Sequence, residues 1–487
     1  MSTTFYSVSA PAGSGKTFSL VRHALSLAQN HQKVLIAQPT KLLIDQTERD
    51  LLAHNGKVKV TKIVSSTGYA SASVNARIVG HMAQPTQGQG EILLVSHVAL
   101  AQLPNAYRQF WNLFVDEVPG AFTAHKLNIR KSHSYITQHI TLDADLVPGI
   151  PVVSASDVGA LRALAQNSSQ DDAIAVFKKL ADDILNPDKV VCVQDEAYNN
   201  LLTGAGKAKE IHFFAFQKSD FVQGYASTTI MGANFDDTEL AKIWEKVDSI
   251  NWKPHPVING NLRYKHHTNG HRLTIKYVIS GNWSQEFGKK PHNGSSVLQS
   301  IANLMADELG EDFLWQSNKK HEDYLFDEGL KLPQNTQGLN RKAFQRTHGV
   351  ALVKAINHST GPAAFLKAIG LKDEELKITL QYQNEYQAMM RCSLREPNAK
   401  EDVTVCVVSE GSARWLAARF PNCNVEQIKS DIPEPKLRGN PVSERKTPAE
   451  SMWDSRENKK VRDAAANGEV YVARPWTPRE PKGFRIK

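Results

Sequence analysis

The sequence predicts an α/β fold built on a parallel sheet that helices cover on both faces. Four apolar runs near the start of the chain have the composition of buried strands, and they alternate with segments of helical spacing. These runs are residues 5–8, 33–38, 91–96 and 113–117. Buried strands that alternate with helices are typical of parallel sheets, whose ligands bind beyond the carboxyl ends of the strands. We therefore expect a functional site at that edge.

A glycine-rich segment connects the first predicted strand to the first predicted helix. Residues 10–17 read APAGSGKT, with Ala10 where the general pattern has its first glycine. Glycines let backbone N–H groups close around phosphate oxygens, and the helix start adds partial positive charge. The segment predicts a loop that binds a nucleoside triphosphate rather than an ordinary turn. The residues predicted to contact the nucleotide are Ala12, Gly13, Ser14, Gly15, Lys16 and Thr17. Lys16 is expected to reach the β- and γ-phosphates, and the Thr17 hydroxyl to bind Mg²⁺.

The fourth predicted strand ends in an acidic pair, Asp116 and Glu117. Because parallel strands end at the same edge of a sheet, both carboxylates should face the loop that carries Lys16. One carboxylate can hold Mg²⁺, and its neighbour can act as general base toward the water that attacks the γ-phosphate. Acidic pairs are more often solvated turns, but a position directly after an apolar strand favours the chemical interpretation. We predict Asp116 as metal ligand and Glu117 as general base.

Composition and charge are those of a soluble protein of several domains. The chain has 487 residues, 22% of them charged, and its four cysteines lack the paired spacing of a metal site. No apolar run approaches the roughly 20 residues of a membrane span, and no secretory signal precedes the first strand. We therefore expect a cytoplasmic protein with reduced thiols and no membrane partner. The net charge of +8 permits a polyanionic partner without identifying one.

The second half of the chain adds further strands and an arginine pair. Residues 313–315 and 349–353 have the composition of buried strands, whereas residues 120–210 fit an elaborated connection within the first domain. Gln387, Arg391 and Arg395 follow one another at intervals of four, which predicts that they share one face of a helix. Two arginines on one face usually form a solvated surface, but the phosphate site in the first half gives them another partner.

In their order along the chain, these segments resemble the motifs of the superfamily two helicases, ATP-driven nucleic-acid translocases with two RecA-like lobes. Residues 13–17 match motif I, and residues 116–119 match motif II in a DExx form. The weaker matches are Pro39, Thr40 and Gln46 with motif Ia, Ser96 and His97 with Ib, Gly232, Ala233 and Asn234 with III, Gly338, Leu339 and Asn340 with V, and residues 387–395 with VI. The resemblance covers about residues 5–425. Gly232 and Asn234 replace hydroxyl residues of motif III, and the arginines of motif VI lie four apart instead of three.

The resemblance implies an α/β fold of two RecA-like parallel-sheet lobes in tandem, with a small helical or extended C-terminal extension. The implied domains are residues 1–240, 241–430 and a basic extension at 431–487. ATP with Mg²⁺ would lie between the lobes. Arg391 and Arg395 would approach from the second lobe and stabilise charge on the transferring phosphoryl group, with Arg391 favoured for the contact to the γ-phosphate.

Nucleic acid is the implied partner, with DNA favoured over RNA. Thr40, His97 and Asn340 are the implied contacts to its phosphates, although each could equally cap a loop. The residues implied in coupling ATP turnover to motion are Gly232, Ala233, Asn234, Gly338 and Gln387. Two alternatives stay open: a terminase-like packaging ATPase, which should carry a carboxylate-rich nuclease site, and an ATP-binding switch that does not translocate.

Overall fold

The computed structural model describes residues 5–54, 57–65, 73–84, 88–129, 131–204, 210–336 and 342–435, with residues 456, 457, 460, 463 and 471. The chain divides into two compact units, Met1–Glu434 and Pro435–Lys487. Gly338, Leu339 and Asn340 of the predicted motif V lie outside the described residues, as does most of the predicted C-terminal extension. Within the second unit, Arg456, Glu457, Lys460 and Asp463 are helical, and Lys460 Nζ lies 2.7 Å from a carboxylate oxygen of Glu457.

The first lobe is built on a sheet of seven parallel strands. In order across the sheet they are Lys253–Pro254, Phe5–Ser9, Ser227–Gly232, Trp111–Asp116, Lys33–Gln38, Glu91–Ser96 and Lys59–Lys62. The central strands are apolar because helices cover both of their faces, and Val34, Leu35, Ile36 and Ala37 are fully buried. All four runs predicted as strands from the sequence belong to this sheet.

Helices pack on both faces of this sheet. They are Lys16–Gln29, Lys41–Ala53, Val74–Met82, His97–Leu100, Glu239–Val247 and Pro256–Gly260, with short 3₁₀ helices at Arg108–Phe110, Ser219–Val222 and Phe235–Asp237. Helix Lys16–Gln29 buries Leu20, Val21, Ala24 and Ala28, which the helical repeat places on one side. This helix packs its apolar face on the sheet, and its first turn receives the glycine-rich loop.

An antiparallel sheet is inserted between the strand that ends at Asp116 and the strand that begins at Ser227. Its strands, in order across the sheet, are Phe122–Leu127, Ile211–Gln217, Lys189–Val193, Ile150–Ala155 and Ile140–Val147. The helices of the insertion are Ser134–Thr137, Val158–Gln166, Asp172–Leu185 and Asp195–Thr203. Because the flanking strands are parallel neighbours in the first sheet, the insertion leaves the lobe at the carboxyl edge, where ligands bind, and the chain re-enters the sheet at the opposite edge.

The second lobe is built on a sheet of six parallel strands. In order they are Leu330–Lys331, Phe313–Gln316, Gly349–Leu352, Val403–Ser409, Leu273–Ile279 and Asn424–Gln427, beside a small hairpin of Pro291–His292 and Ser295–Ser296. Its helices are Gln285–Gly288, Val297–Leu309, Thr360–Ala368, Asp373–Lys377, Gln383–Met389 and Glu410–Ala417, with a π-helical turn at Ile378–Tyr382 and 3₁₀ helices at Gly270–Arg272, Lys319–His321, Phe344–Arg346 and Ser393–Arg395. The predicted α/β fold with two parallel-sheet lobes is confirmed.

The chain passes from the first sheet to the second between Pro254 and Leu273, later than the predicted boundary at residue 240. Strand Lys253–Pro254 pairs with the first strand, and helix Pro256–Gly260 packs on helix Lys16–Gln29, so both belong to the first lobe. The segment that follows therefore runs directly beside the glycine-rich loop.

An aromatic seam joins the second lobe to the first. Phe365, on helix Thr360–Ala368, is fully buried and stacks on Phe214 and Phe122 of the inserted sheet, with ring centroids 4.5 and 5.7 Å apart. Stacked aromatic rings of this kind stabilise a contact beyond the area they bury. The seam fixes one side of the cleft between the lobes. No helix in the described part of the chain is both long enough and apolar enough to span a bilayer.

Candidate active site

The glycine-rich loop runs from the strand Phe5–Ser9 to the helix that begins at Lys16, as the sequence predicts. Gly13 and Gly15 have φ angles of 81° and 85°, a region that side chains with a Cβ rarely adopt. A Cβ at Gly13 would also lie 2.7 Å from the Tyr264 hydroxyl. Both glycines are therefore required by the backbone, and the loop has the shape of an anion-binding turn at a helix N-terminus.

Lys16 is buried at the base of this loop. Its Nζ donates to the backbone oxygens of Ala10 and Pro11, at 3.1 and 2.9 Å. Burial lowers the pKa of Lys16 from its ordinary value, while the negative charges of Glu117 and Asp116 act in the opposite direction. A phosphate at the loop would offer this ammonium a stronger, charged acceptor than the two carbonyls.

Asp116 lies at the end of its strand, directly against the loop. Its Oδ2 accepts hydrogen bonds from Thr17 Oγ1 and from Gln38 Nε2, each at 2.9 Å. Burial and, less strongly, the neighbouring Glu117 raise the pKa of Asp116 to about 6, against the lowering effect of these two hydrogen bonds. The structure thus brings the two predicted metal ligands, Thr17 and Asp116, into contact.

These oxygens fit a magnesium ion. Mg²⁺ takes oxygen ligands and is typically held by one or two protein groups together with substrate phosphates and water. Thr17 and Asp116 supply two oxygens beside the phosphate loop. Among the residues that the structure describes, no group of three His, Cys, Asp or Glu side chains could hold a metal alone. With only two protein oxygens, Thr17 and Asp116 would hold such an ion together with the phosphates of a nucleotide and water.

Glu117 follows Asp116 with a backbone angle of φ 66°, in the left-handed region. A residue without glycine's freedom is held there at a cost of about 1–2 kcal/mol. Glu117 lines a cleft of about 360 Å³ between the lobes, which Ala233, Gln383 and Gln387 also line. The predicted general base therefore borders the space between the two lobes.

The predicted helix carrying Gln387, Arg391 and Arg395 is shorter than expected. Helix Gln383–Met389 ends before Arg391, and Arg395 belongs to a separate 3₁₀ helix. After the helix, Arg391 N and Cys392 N donate to the oxygens three residues back, and Cys392 is then extended, with its sulfur accepting from Leu394 N. The prediction that all three residues share one helical face is wrong.

Both arginines nonetheless lie near the loop, since their charges lower the pKa of Lys16, and Arg391 also interacts with Glu117. Arg391 is 4% exposed, and its guanidinium donates to the backbone oxygen and to Oε1 of Gln387, each at 2.9 Å. Burial and the neighbouring Arg395 lower the pKa of Arg391 to about 10, while Glu117 raises it. The Cγ of Arg395 lies 3.3 Å from the point where a Cβ on Gly13 would stand.

Three residues that the sequence did not single out as site residues surround the loop. Tyr386, from the second lobe, accepts a hydrogen bond from Ala12 N at 2.8 Å, and its hydroxyl also contacts His267 Nε2 at 2.8 Å. The Tyr264 hydroxyl donates to the oxygen of Ala12 at 2.8 Å. His267 is buried in this contact. The only sequence signal for these three residues was that Tyr386 directly precedes Gln387, the first residue of the predicted motif VI.

The predicted nucleic-acid contacts lie at strand ends. Thr40 caps helix Lys41–Ala53 by accepting from Leu43 N at 3.2 Å. His97 Nε2 lies 3.1 Å from the backbone oxygen of Asp116, and burial lowers its pKa to about 4, so the ring is neutral near pH 7. His97 is thus joined to the acidic pair. Asn340, the third candidate, lies outside the described residues.

The predicted coupling segment contacts both lobes. A Cβ at Gly232 would lie 2.5 Å from Val118, so only glycine fits beside the acidic segment. The Asn234 backbone oxygen accepts from Gln383 Nε2 of the second lobe at 3.1 Å. An ion pair between Arg419 and Asp237 crosses between the lobes nearby. Gly232, Ala233 and Asn234 therefore connect the acidic pair to the lobe interface, and Gln387 reaches the same cleft.

Comparisons with known proteins give one matching family model and several solved structures with a similar fold. Residues 2–142 match the family described as "Type III restriction enzyme, res subunit". The solved structure titled "XPD_Helicase" resembles this chain with a TM-score of 0.51 and 10% identity, over 87% of this chain and 96% of that one. Two others are Xpd4 of S. tokodaii (TM-score 0.43, 11% identity, 88% and 96% covered) and Dbp5 of S. cerevisiae with RNA and ADP BeF3 (0.37, 10%, 88% and 85%). No curated protein matches the chain by sequence.

Proposed function

We propose that this chain, a helicase-type ATPase of superfamily two, uses Mg²⁺-dependent ATP hydrolysis to move along nucleic acid, with DNA as its track. The observation that carries the proposal is that both lobes contribute polar and charged groups to one loop. The loop itself ends in Lys16 and Thr17, and Asp116 of the first lobe contacts it. Arg391 and Arg395 of the second lobe lie close to it. The choice of DNA is supported by the family that matches residues 2–142, since restriction enzymes act on DNA.

The residues of the first lobe would bind and orient the triphosphate. The backbone N–H groups of the loop and the start of helix Lys16–Gln29 favour negative charge. Lys16 would exchange its carbonyl partners for phosphate oxygens, because charge-assisted hydrogen bonds are the stronger ones. Thr17 and Asp116 would hold Mg²⁺, which neutralises developing charge on the phosphates when bound.

Hydrolysis would be shared between the two lobes. Glu117 borders the cleft and would accept a proton from the attacking water. Arg391 and Arg395 would stabilise the charge that spreads over the transferring phosphoryl group. Since these arginines come from the second lobe, loss of the γ-phosphate would weaken the attraction that keeps the lobes together.

Movement of the lobes would then act on nucleic acid. The bond from Gln383 to Asn234 and the ion pair of Arg419 with Asp237 cross the interface beside the acidic pair. Opening of the cleft must break or shift these contacts, so they would couple the state of the nucleotide to the relative position of the lobes. Thr40, His97 and Asn340 are the residues proposed to contact the phosphates of the nucleic-acid strand.

The test is ATP hydrolysis by the whole chain with Mg²⁺, measured alone and with single-stranded DNA, duplex DNA or RNA. We expect DNA to increase kcat, and Glu117→Gln to abolish turnover while ATP still binds. If RNA alone stimulated, the track would be RNA. If no nucleic acid changed kcat while Glu117-dependent turnover persisted, the translocase proposal would fail and the protein would be an ATP-driven switch.

A further inference from the structure

We infer that Gln38 is a positioning residue that holds the Asp116 carboxylate for metal binding and links it to helix Lys41–Ala53. The inference rests on the proposed function, because it concerns how nucleic acid at that helix influences the metal side of the ATP site. Gln38 ends the strand Lys33–Gln38, which lies next to the strand that ends at Asp116. Its side chain therefore starts at the same edge as the acidic pair.

A continuous row of side chains runs from the helix to the acidic pair. Gln38 Nε2 donates to Thr47 Oγ1 at 2.8 Å and to Asp116 Oδ2 at 2.9 Å. Thr47 and Gln38 are 0% exposed, and Asp116 is 1% exposed. The amide group has two N–H hydrogens, and each is used in one of these bonds. The position of the Gln38 side chain is thus determined from both sides, and Oδ2 of Asp116 is held in place.

The oxygen of the Gln38 amide differs from its nitrogen in its hydrogen bonding. Gln38 Oε1 is buried and has no hydrogen-bond partner among the described residues. An acceptor that is buried without a donor carries a free-energy cost, so this oxygen suits a donor that the described side chains do not supply. Mg²⁺ at Asp116 would keep several of its waters, and a metal-bound water is the kind of donor that Oε1 lacks. Gln38 would then stabilise the loaded metal site from its outer side.

The row also reaches toward the predicted nucleic-acid surface. Thr47 lies in helix Lys41–Ala53, whose first turn is capped by Thr40. Thr40 is one of the residues proposed to contact nucleic acid. A displacement of this helix on binding a strand would move Thr47, and through Gln38 it would move the carboxylate of Asp116. This direct link between two sites is made by only two buried hydrogen bonds.

The experiment separates the two ends of the link. Gln38→Met keeps the length of the side chain and removes both bonds, whereas Thr47→Val removes only the bond on the helix side. Gln217→Met is the matched control, because Gln217 is a buried glutamine of the inserted sheet that donates to Asp188 O at 2.8 Å. For each protein we would measure binding of fluorescent ADP as a function of Mg²⁺, and ATP hydrolysis with and without DNA.

We expect Gln38→Met to raise the Mg²⁺ concentration for half-maximal ADP binding by about tenfold, and Gln217→Met to leave it unchanged. Thr47→Val should keep the wild-type Mg²⁺ requirement but reduce stimulation by DNA several-fold, and Thr47→Ser should restore it. An unchanged Mg²⁺ requirement in Gln38→Met, or full DNA stimulation in Thr47→Val, would overturn the inference. If Gln38→Met does not fold, the comparison of Thr47→Val with Thr47→Ser tests the inference. Stimulation of wild-type ATP hydrolysis by DNA tests the proposed function. If DNA stimulates the wild type but the variants do not behave as expected, only the role of Gln38 is contradicted.

Discussion

The hydroxyl of Tyr386, in the second lobe, accepts a hydrogen bond from the backbone nitrogen of Ala12, in the glycine-rich loop, at 2.8 Å. Tyr386 is fully buried, and burial is the main reason that the pKa of its phenol lies above the ordinary range, so the group stays neutral. The phosphate loop is thus tied directly to the opposite lobe through a neutral bond. This bond and the aromatic seam at Phe365 hold the lobes together at two separate places.

Removing this hydroxyl should loosen the closed arrangement. Tyr386→Phe keeps the ring but leaves the N–H of Ala12 and a ring nitrogen of His267 without their partner. Because unsatisfied buried polar groups cost about 1–3 kcal/mol each, we expect a stability loss of that order. Urea unfolding measures it. Tyr198→Phe, at a buried tyrosine of the insertion, is the control and should cost less. Equal losses in the two variants would show that the Ala12 bond contributes nothing special.

A methyl group at Gly13 should impair the loop in two ways. Gly13→Ala places a Cβ at φ 81° and brings it to 2.7 Å from the Tyr264 hydroxyl. The backbone cost is about 1–2 kcal/mol, and the contact with Tyr264 adds to it. We expect at least tenfold weaker nucleotide binding, measured by fluorescence titration.

Gly149→Ala is the matched control for this prediction. Gly149 also has a positive φ, 77°, but a Cβ there would meet no atom within 4 Å. It should therefore lose a similar amount of stability from the backbone and keep nucleotide affinity. Wild-type affinity in Gly13→Ala would show that Tyr264 moves away freely and does not restrict the loop.

The pH dependence of stability should depend in part on Glu385, in the helix Gln383–Met389. Burial raises the pKa of Glu385 to about 7, although its bonds with Ser412 and Gln381 act in the opposite direction. Between the unfolded value near 4.5 and 7, the folded state keeps a proton that the unfolded state releases. Stability from this group is therefore complete below about pH 4.5 and falls as pH rises toward 7.

Glu385→Gln replaces the carboxyl by a neutral amide of the same shape. We expect the variant to be more stable than wild type at pH 8, by on the order of 2–3 kcal/mol, with little difference at pH 4.5. Urea unfolding at the two pH values measures this change. Asp323→Asn, at an exposed carboxylate, should not alter the pH dependence in this way. A constant difference between variant and wild type at both pH values would contradict the raised pKa.

The sequence predicted the loop and the acidic pair well because local rules determine both. Apolar strands followed by Gly13–Gly15 or by Asp116 leave few alternatives for where the chain turns. The short helix before Arg391 was not predictable, since the chain beyond it is extended at Cys392 and is bonded through Ser393 N to Thr347 O of a distant segment. Gln38 was missed for a related reason. Only the fold reveals that its amide reaches Asp116, 78 residues away in sequence.

The strand pairing of the inserted sheet and its packing on the second lobe were likewise not predictable from the sequence. The apolar runs at residues 190–193 and 211–214 lie in strands that pair antiparallel with each other, and the second strand also pairs antiparallel with the distant Phe122–Leu127. The same holds for the stack of Phe365 on Phe214, which joins residues from two different lobes. Such contacts depend on tertiary packing and have no local pattern in the sequence.

The two arginines of the second lobe should differ in what they do. Arg391 is buried, and its guanidinium is held by two bonds to Gln387, whereas Arg395 lies with its aliphatic stem against Gly13. A guanidinium held in place suits the stabilisation of charge in the transition state, and such residues contribute roughly 10³-fold or more to kcat. We expect Arg391→Ala to lower kcat by about that factor with little change in nucleotide affinity. Arg391→Lys should be nearly as impaired, because a single ammonium nitrogen does not reproduce the planar, two-nitrogen contact that the guanidinium makes with Gln387.

Arg395 should instead influence binding. Arg395→Ala removes both the positive charge and the contact with the loop, so we expect weaker ATP binding and a smaller effect on kcat, and Arg395→Lys should recover much of the affinity. Single-turnover hydrolysis and fluorescent ATP titration separate the two quantities. Equal losses of kcat in Arg391→Ala and Arg395→Ala would mean that both guanidinium groups contact the transferring phosphoryl group. A loss of affinity alone in Arg391→Ala would reverse the assignment, because the group would then bind the ground state and the transition state equally.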